Sequence, residues 1–231
     1  MRYPISHLFC SALSFFCLTF NALAYADLHD ISRIFHRSPT ISSFEVCHSG
    51  GCAEVSMVSL SDEEWLQISD IFDNNAQNAS DERTQIAVAI GLLETLIGNK
   101  IGTSGDLAGT FGNSQYKGQL DCNDEAINTT TYMRLLQSQG LMLQHVIEDT
   151  RTRNFFFTGW PHSTAVIRDI ATGEQFAVDS WFYDNGHAAT IVPFKVWKAN
   201  YQPADSPIGK TRTVKSNTDH PVMTKVEIPQ R

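Results

Sequence analysis

The chain has no surplus of positive charge: 25 Asp and Glu face 17 Lys and Arg, a formal charge of −8. Nucleic acids and anionic membrane surfaces are held by basic faces, so the balance argues against both as partners. Walker and Rossmann glycine signatures are absent, and with them the common cradles for nucleotide phosphates. There is no internal repeat, and beyond the N-terminal run no segment is apolar enough to span a bilayer. Cysteine is sparse, five in 231 residues, and no two pairs of ligands stand at metal spacing. No cofactor or metal is expected from these patterns.

What is present begins with a basic start at Arg2, the apolar run HLFCSALSFFCLTFNALA and the small residues ALAYAD. That is the layout of a secretory signal, with an exit after Ala24 or Ala26. Residues 1–26 are therefore read as a signal peptide and the product as exported, periplasmic or secreted. An uncleaved anchor is the alternative, because the run approaches the ~20 residues a span needs. Neither Cys10 nor Cys17 follows the small-residue pattern of a lipid-anchored cysteine. About 200 residues remain, enough for one domain with a sizeable core.

That remainder holds three cysteines, Cys47, Cys52 and Cys122. The stretch FEVCHSGGCAEVSMV reads as two short strands around His48 to Gly51. A four-residue turn there sets Cys47 opposite Cys52, at a spacing that suits a disulfide. Zinc held through His48 is the other reading, without a second ligand pair to support it. In an oxidising compartment Cys122 is then the odd thiol.

The periodicity divides the rest. Residues 27–60 form a lead-in with the cysteine hairpin. SDEEWLQISDIF opens a helix with a capping box, Ser61 and Glu64. A second helix carries Ile86, Ile90, Leu93 and Ile97 on one stripe, with Gly98-Asn99 as its expected stop. A Gly-, Ser- and Thr-rich loop runs to Gly118. Cys122 then heads a third helix, on the same stripe as Ala126, Thr129, Met133 and Leu136, ending at Gly140. LMLQHVI, NFFFTGW, HSTAVIRD and GEQFAVDSW read as strands, and ATIVPFKVW as a strand or strand-to-helix segment. Residues 61–199 thus make one domain of the α+β class, helices followed by an antiparallel sheet. Residues 200–231 read as a flexible tail.

A nucleophilic cysteine needs a base, and the base needs a third group to orient it. If Ile170 to Gly173 form a four-residue turn, Asp169 faces Glu174, Thr164 faces Asp179, and His162 faces Trp181. His162 and Asp179 then become diagonal neighbours, roughly 7–8 Å apart at Cβ. A two-residue Thr172-Gly173 turn would instead separate them by about 13 Å. Asp121 and Asp124 flank the thiol and oppose its ionisation by about 1 kcal/mol each, which roughly offsets the helix dipole. An imidazolium in contact would contribute on the order of 4–5 kcal/mol before desolvation, so His162 decides whether an ion pair forms. His145 and His187 are competing bases; His145 fits a core position and His187 a turn. Asp124 fits a helix-start cap, and Trp160 and Trp181 flank the proposed site.

LDCNDEA at a helix start, then PHSTAVIRD, then GEQFAVDSW, resembles the core of the transglutaminase-like superfamily of papain-like cysteine enzymes, in particular its bacterial cysteine-protease type. Cys122, Asp124 and Ala126 match the first motif, His162 the second, and Asp179 with Trp181 the third, over residues 86–197. The resemblance implies a papain-like core in which the nucleophile helix packs on an antiparallel sheet. It implies attack by Cys122 on an amide or isopeptide carbonyl, with His162 as base then acid and Asp179 orienting it. The Cys122 N–H and one side chain would hold the oxyanion, with Gln119 and Gln115 the nearest candidates. The substrate would be a peptide, protein or peptidoglycan amide, with no membrane contact once the signal is removed. A true transglutaminase and a non-catalytic binding module on the same fold are the alternatives.

Overall fold

A computed structural model describes residues 38–74, 76–111, 117–154 and 161–208. The expected signal peptide at 1–26, Gln115, Trp160, most of NFFFTGW and the end of the expected tail lie outside the described residues.

The architecture is α+β. A hairpin of β1 (Phe44–His48) and β2 (Glu54–Val58) comes first. Three helices follow: α1 (Asp62–Ser69), α2 (Ala79–Ile101) and α3 (Cys122–Ser138). An antiparallel sheet in the order β3-β4-β5-β6 closes the domain, from β3 (His145–Arg153), β4 (His162–Asp169), β5 (Gln175–Asp179) and β6 (Thr190–Pro193). The short α4 (Phe194–Lys198) grows directly out of β6. No helix among the described residues is long and apolar enough to cross a membrane.

Local chemistry explains most boundaries. Ser61 Oγ accepts the Glu64 N–H while Glu64 accepts the Ser61 N–H, so α1 starts with both reciprocal bonds of a capping box. Asp121 and Asp124 do the same for α3. The second helix runs past its expected stop at Gly98 to Gly102, whose φ of 81° closes it in the left-handed region. Gly98 lies inside the helix for another reason. A Cβ there would stand 3.0 Å from the Ser104 backbone nitrogen, so the following loop folds back against it.

Two further expectations need correction. Cys47 and Cys52 do form a disulfide, but they are not cross-strand partners. Cys47 pairs with Val55, three positions past Cys52, and Cys52 sits at φ 57° in a five-residue loop from Ser49 to Ala53. Nor does a flexible tail start at 200. Tyr201 and Ile208 pack on the aromatic cluster of the site, and buried Ser206 donates to the Phe182 carbonyl at 2.7 Å. The expected strand over LMLQHVI begins only at His145.

Helix α3 is the centre of the molecule. Leu135, Leu136 and Met133 meet Ile86, Ile90 and Leu93 of α2 in one core, together with Ala165, Ile167 and Val178 of the sheet. Its polar residues Asp124, Glu125, Asn128 and Thr129 are buried as well. Gly91 of α2 lies under the loop after β5, where an added Cβ would come within 2.8 Å of the Gly186 and His187 carbonyl oxygens. Backbone cannot yield there as a flexible side chain can. Gly91→Ala is expected to destabilise the fold by about 1–3 kcal/mol, read as a lowered midpoint in urea or thermal unfolding. An unchanged midpoint would contradict the close approach.

Candidate active site

Cys122 is the first residue of α3, held there because the Asp121 side chain accepts the Asn123 and Asp124 N–H groups. The disulfide loop docks on this helix end. Gly50 and Cys52 donate to the two Asp124 carboxylate oxygens at 2.7 and 2.6 Å, and Gly51 donates to Asp121 at 2.8 Å. Consecutive positive φ values from Ser49 to Cys52 turn these N–H groups to one side, making an anion-binding concavity. Asn128, one turn further along, exchanges both of its amide bonds with the Cys47 backbone. The carboxylates beside the thiol are therefore anchors for the hairpin. His48 is engaged inside that hairpin, with Ser56 at 2.9 Å and Ser49 at 3.1 Å.

The β4–β5 turn adopts the four-residue register. Gly173 has φ 72°, Asp169 N–H donates to Glu174, and Ala165 pairs with Val178. That register brings His162 and Asp179 together: His162 Nε2 lies 2.7 Å from Asp179 Oδ2. Trp197 of α4 donates its indole N–H to the same oxygen at 2.6 Å. With Nε2 bound to a carboxylate, the hydrogen-bond network assigns the proton to Nε2 and leaves a lone pair on Nδ1. Among the described residues Nδ1 has no hydrogen-bond partner, although it is buried. The ring is boxed by Trp181, Phe182 and Trp197, with centroids 4.4, 5.5 and 5.6 Å away.

Cys122 belongs to the same buried cluster, with Ala177, Trp181, Phe182 and Trp197. It is the free cysteine of the described residues and is 6% exposed. Burial, followed by the charge of Asp121, pushes its thiol up to about 12; Asp179 and Asp124 add to the rise, and the Ser163 backbone N–H counters it. No thiol–imidazole hydrogen bond forms. Thiol and imidazole are thus joined through one aromatic cluster, with no hydrogen bond between them, in place of the ion pair that direct contact would allow.

The other candidates are placed elsewhere. Gln119 donates to the Gly105 carbonyl at 2.8 Å and accepts from Leu107 N–H and Thr110 Oγ1, so its amide organises the 105–110 loop. His145, at the opposite end of β3 and β4, joins Glu82 at 2.8 Å and Arg83 at 3.1 Å, tying α2 to the sheet. His187 stacks on Tyr183 at 3.8 Å on the surface. Trp181 lies against His162 and donates to the Thr110 carbonyl at 2.8 Å. Spacing alone does not single out Trp197, since it reaches Asp179 only because α4 folds back over β5.

Behind the site lies a group that periodicity missed: Glu94, Asp106 and Glu125, from α2, its following loop and α3, all buried. Ser180 donates to Glu125, Leu120 N–H to Asp106, and Gly186 N–H to Glu94. Burial first, and then the Glu125 charge, holds Glu94 well above the usual carboxylate range and raises Asp106 to about 9. Burial likewise raises Glu125 to about 7.

Folded protein therefore keeps protons that an unfolded chain releases near 3.8 to 4.5. Such groups contribute stability that is full below their unfolded values and is lost as pH rises through the folded ones. Glu82 and Asp169, held low by hydrogen bonds that outweigh burial, have the opposite sign and lose their contribution in acid. The thermal midpoint is expected to peak at roughly pH 5 and to fall toward about pH 9, and Glu94→Gln should flatten the alkaline limb. A wild-type midpoint rising over that range would refute the proton-sharing arrangement. No protein-family model, characterised protein or solved structure matches the chain.

Proposed function

We propose that this chain is an exported cysteine hydrolase or acyltransferase, of the transglutaminase-like type, acting on an amide or isopeptide bond through a thioacyl intermediate on Cys122. One observation carries the reading: the His162 imidazole, anchored at Nε2 by Asp179, keeps a buried and unmatched Nδ1 in the cluster that holds the free thiol. A lone pair left buried without a donor costs free energy, and such a group is characteristic of a site awaiting a proton.

The chemistry follows from those atoms. His162 Nδ1 takes the Cys122 proton as the sulfur adds to the carbonyl carbon, and Asp179 stabilises the imidazolium that forms. His162 then protonates the leaving amine as the C–N bond breaks. Water or a second amine resolves the thioester, giving hydrolysis or transamidation. Because the thiol is held up at about 12, proton transfer to His162 accompanies attack and no stored thiolate is required. Amides of peptides, proteins or peptidoglycan suit this chemistry. The Cys47–Cys52 disulfide is in keeping with an oxidising compartment, as is the signal-like N-terminus.

A second reading, a non-catalytic binding module on the same fold, draws on the closure of the site, where Cys122 is 6% and His162 4% exposed. p-Nitrophenyl acetate separates the two. For an enzyme, the activated ester acylates Cys122 near neutral pH, detected by intact mass. His162→Ala should slow that step by about 10²-fold or more. Only an alkaline limb, governed by a thiol ionising near 12, should remain in this variant. Equal acylation rates in wild type and His162→Ala at pH 7 would favour the binding module.

A further inference from the structure

Arg153 ends β3 directly opposite His162 in the β3–β4 ladder. It is 7% exposed, an unusual setting for a permanent cation. Its Nη1 donates to the Trp197 carbonyl. The guanidinium stands 4.6 Å from the Trp197 ring centroid and 5.8 Å from that of Phe182, the same rings that box His162. Among the described residues its Nε has no hydrogen-bond partner. A buried N–H on a charged group that is left unmatched is expensive, so it needs a reason. Its electrostatic neighbours supply one. Burial lowers the guanidinium pKa, and the groups that oppose this are Asp179 and then Cys122. A cation is thus built into the centre where Asp121, Asp124 and Asp179 otherwise oppose negative charge on the sulfur.

Acyl transfer at Cys122 needs a donor for the carbonyl oxygen, and the Gln119 amide is engaged in the 105–110 loop. We propose that Arg153 supplies the side-chain half of the oxyanion site, its unmatched N–H donating to the oxygen that becomes negative when Cys122 adds to an acyl carbonyl. This assignment rests on the acyl-transfer reading above. In the step, the S–C bond forms as the thiol proton passes to His162, and the carbonyl π pair moves onto oxygen beside the guanidinium. The pair then returns, the C=O bond re-forms, and the bond to the leaving group breaks. An amine leaving group takes its proton from His162. Tight packing against Trp197 holds the fork in place before substrate arrives, which is what an electrostatic donor requires.

The test compares two reactions of one thiol. p-Nitrophenyl acetate develops an oxyanion when it acylates Cys122; iodoacetamide reacts by displacement of iodide at an sp³ carbon, and no carbonyl oxygen gains charge. The ratio of acylation to alkylation rates cancels changes in thiol access or ionisation. Arg153→Gln is expected to lower that ratio by about 10- to 100-fold. Arg153→Lys, which keeps the charge but not the planar fork, should lower it several-fold. Circular dichroism and a cooperative melt check each fold, and if the Gln variant fails them the Lys variant decides alone. An unchanged ratio overturns the proposal, even if both rates fall together, because that is what a purely structural arginine would produce. Cys122→Ser acylated as fast as wild type would overturn the acyl-transfer reading itself, and this assignment with it.

Discussion

The contact on which the rest depends is the docking of three backbone amides, from Gly50, Gly51 and Cys52, onto the Asp121 and Asp124 carboxylates. Helix α3 is buried on nearly every side, so its N-terminal groups must be satisfied by protein. The carboxylates satisfy the first turn of the helix from within, and the disulfide loop satisfies the carboxylates from outside. The pair of aspartates beside a cysteine, unfavourable for a thiolate, makes sense as a fastening. It fixes the start of α3, and Cys122 is the first residue past it.

Around that anchor the polar groups of the interior fall into two sets. Toward the sheet, Asp179 accepts from both His162 and Trp197, which orients the imidazole and its open nitrogen. Arg153 closes this set from the neighbouring strand. On the other side, Glu94, Asp106 and Glu125 crowd together and hold protons because so many charges could not coexist in a dry interior. Ser180 follows Asp179 directly and donates to Glu125, so the two sets meet at a single peptide. Much of the molecule's polar chemistry is thus concentrated along one helix and the strand end it faces.

Parts of this were legible because they are local. Ser61 with Glu64 marks a helix start through two short-range bonds. Gly173 marks a left-handed turn residue, and the turn length sets the strand register that brings His162 to Asp179. The disulfide was legible as a pairing, but its place in the ladder was not, since the loop from Ser49 to Ala53 takes Cys52 out of the strand and sets Cys47 opposite Val55. Gly98 looked like a stop because a glycine at a helix end and a glycine under a crossing loop read identically in a linear pattern. Composition suggested a tail after Ala199, whereas Ser206 and Ile208 are held by the aromatic cluster they cover.

By itself the sequence determined the kinds of element and their order, the pairing of the two hairpin cysteines, and that Cys122 is left without a partner among the cysteines of the described residues. Those follow from periodicity, turn chemistry and counting, each of which acts over a few residues. Only the tertiary structure decided which polar groups would share the buried space. Gly50 and Asp124 are separated by 74 positions, and Glu82 and His145 by 63. Trp197 reaches Asp179, and Arg153 reaches Trp197, because helix and sheet fold over one another. A buried donor takes whichever acceptor packing brings within about 3 Å, and a pattern written along one dimension carries no record of that.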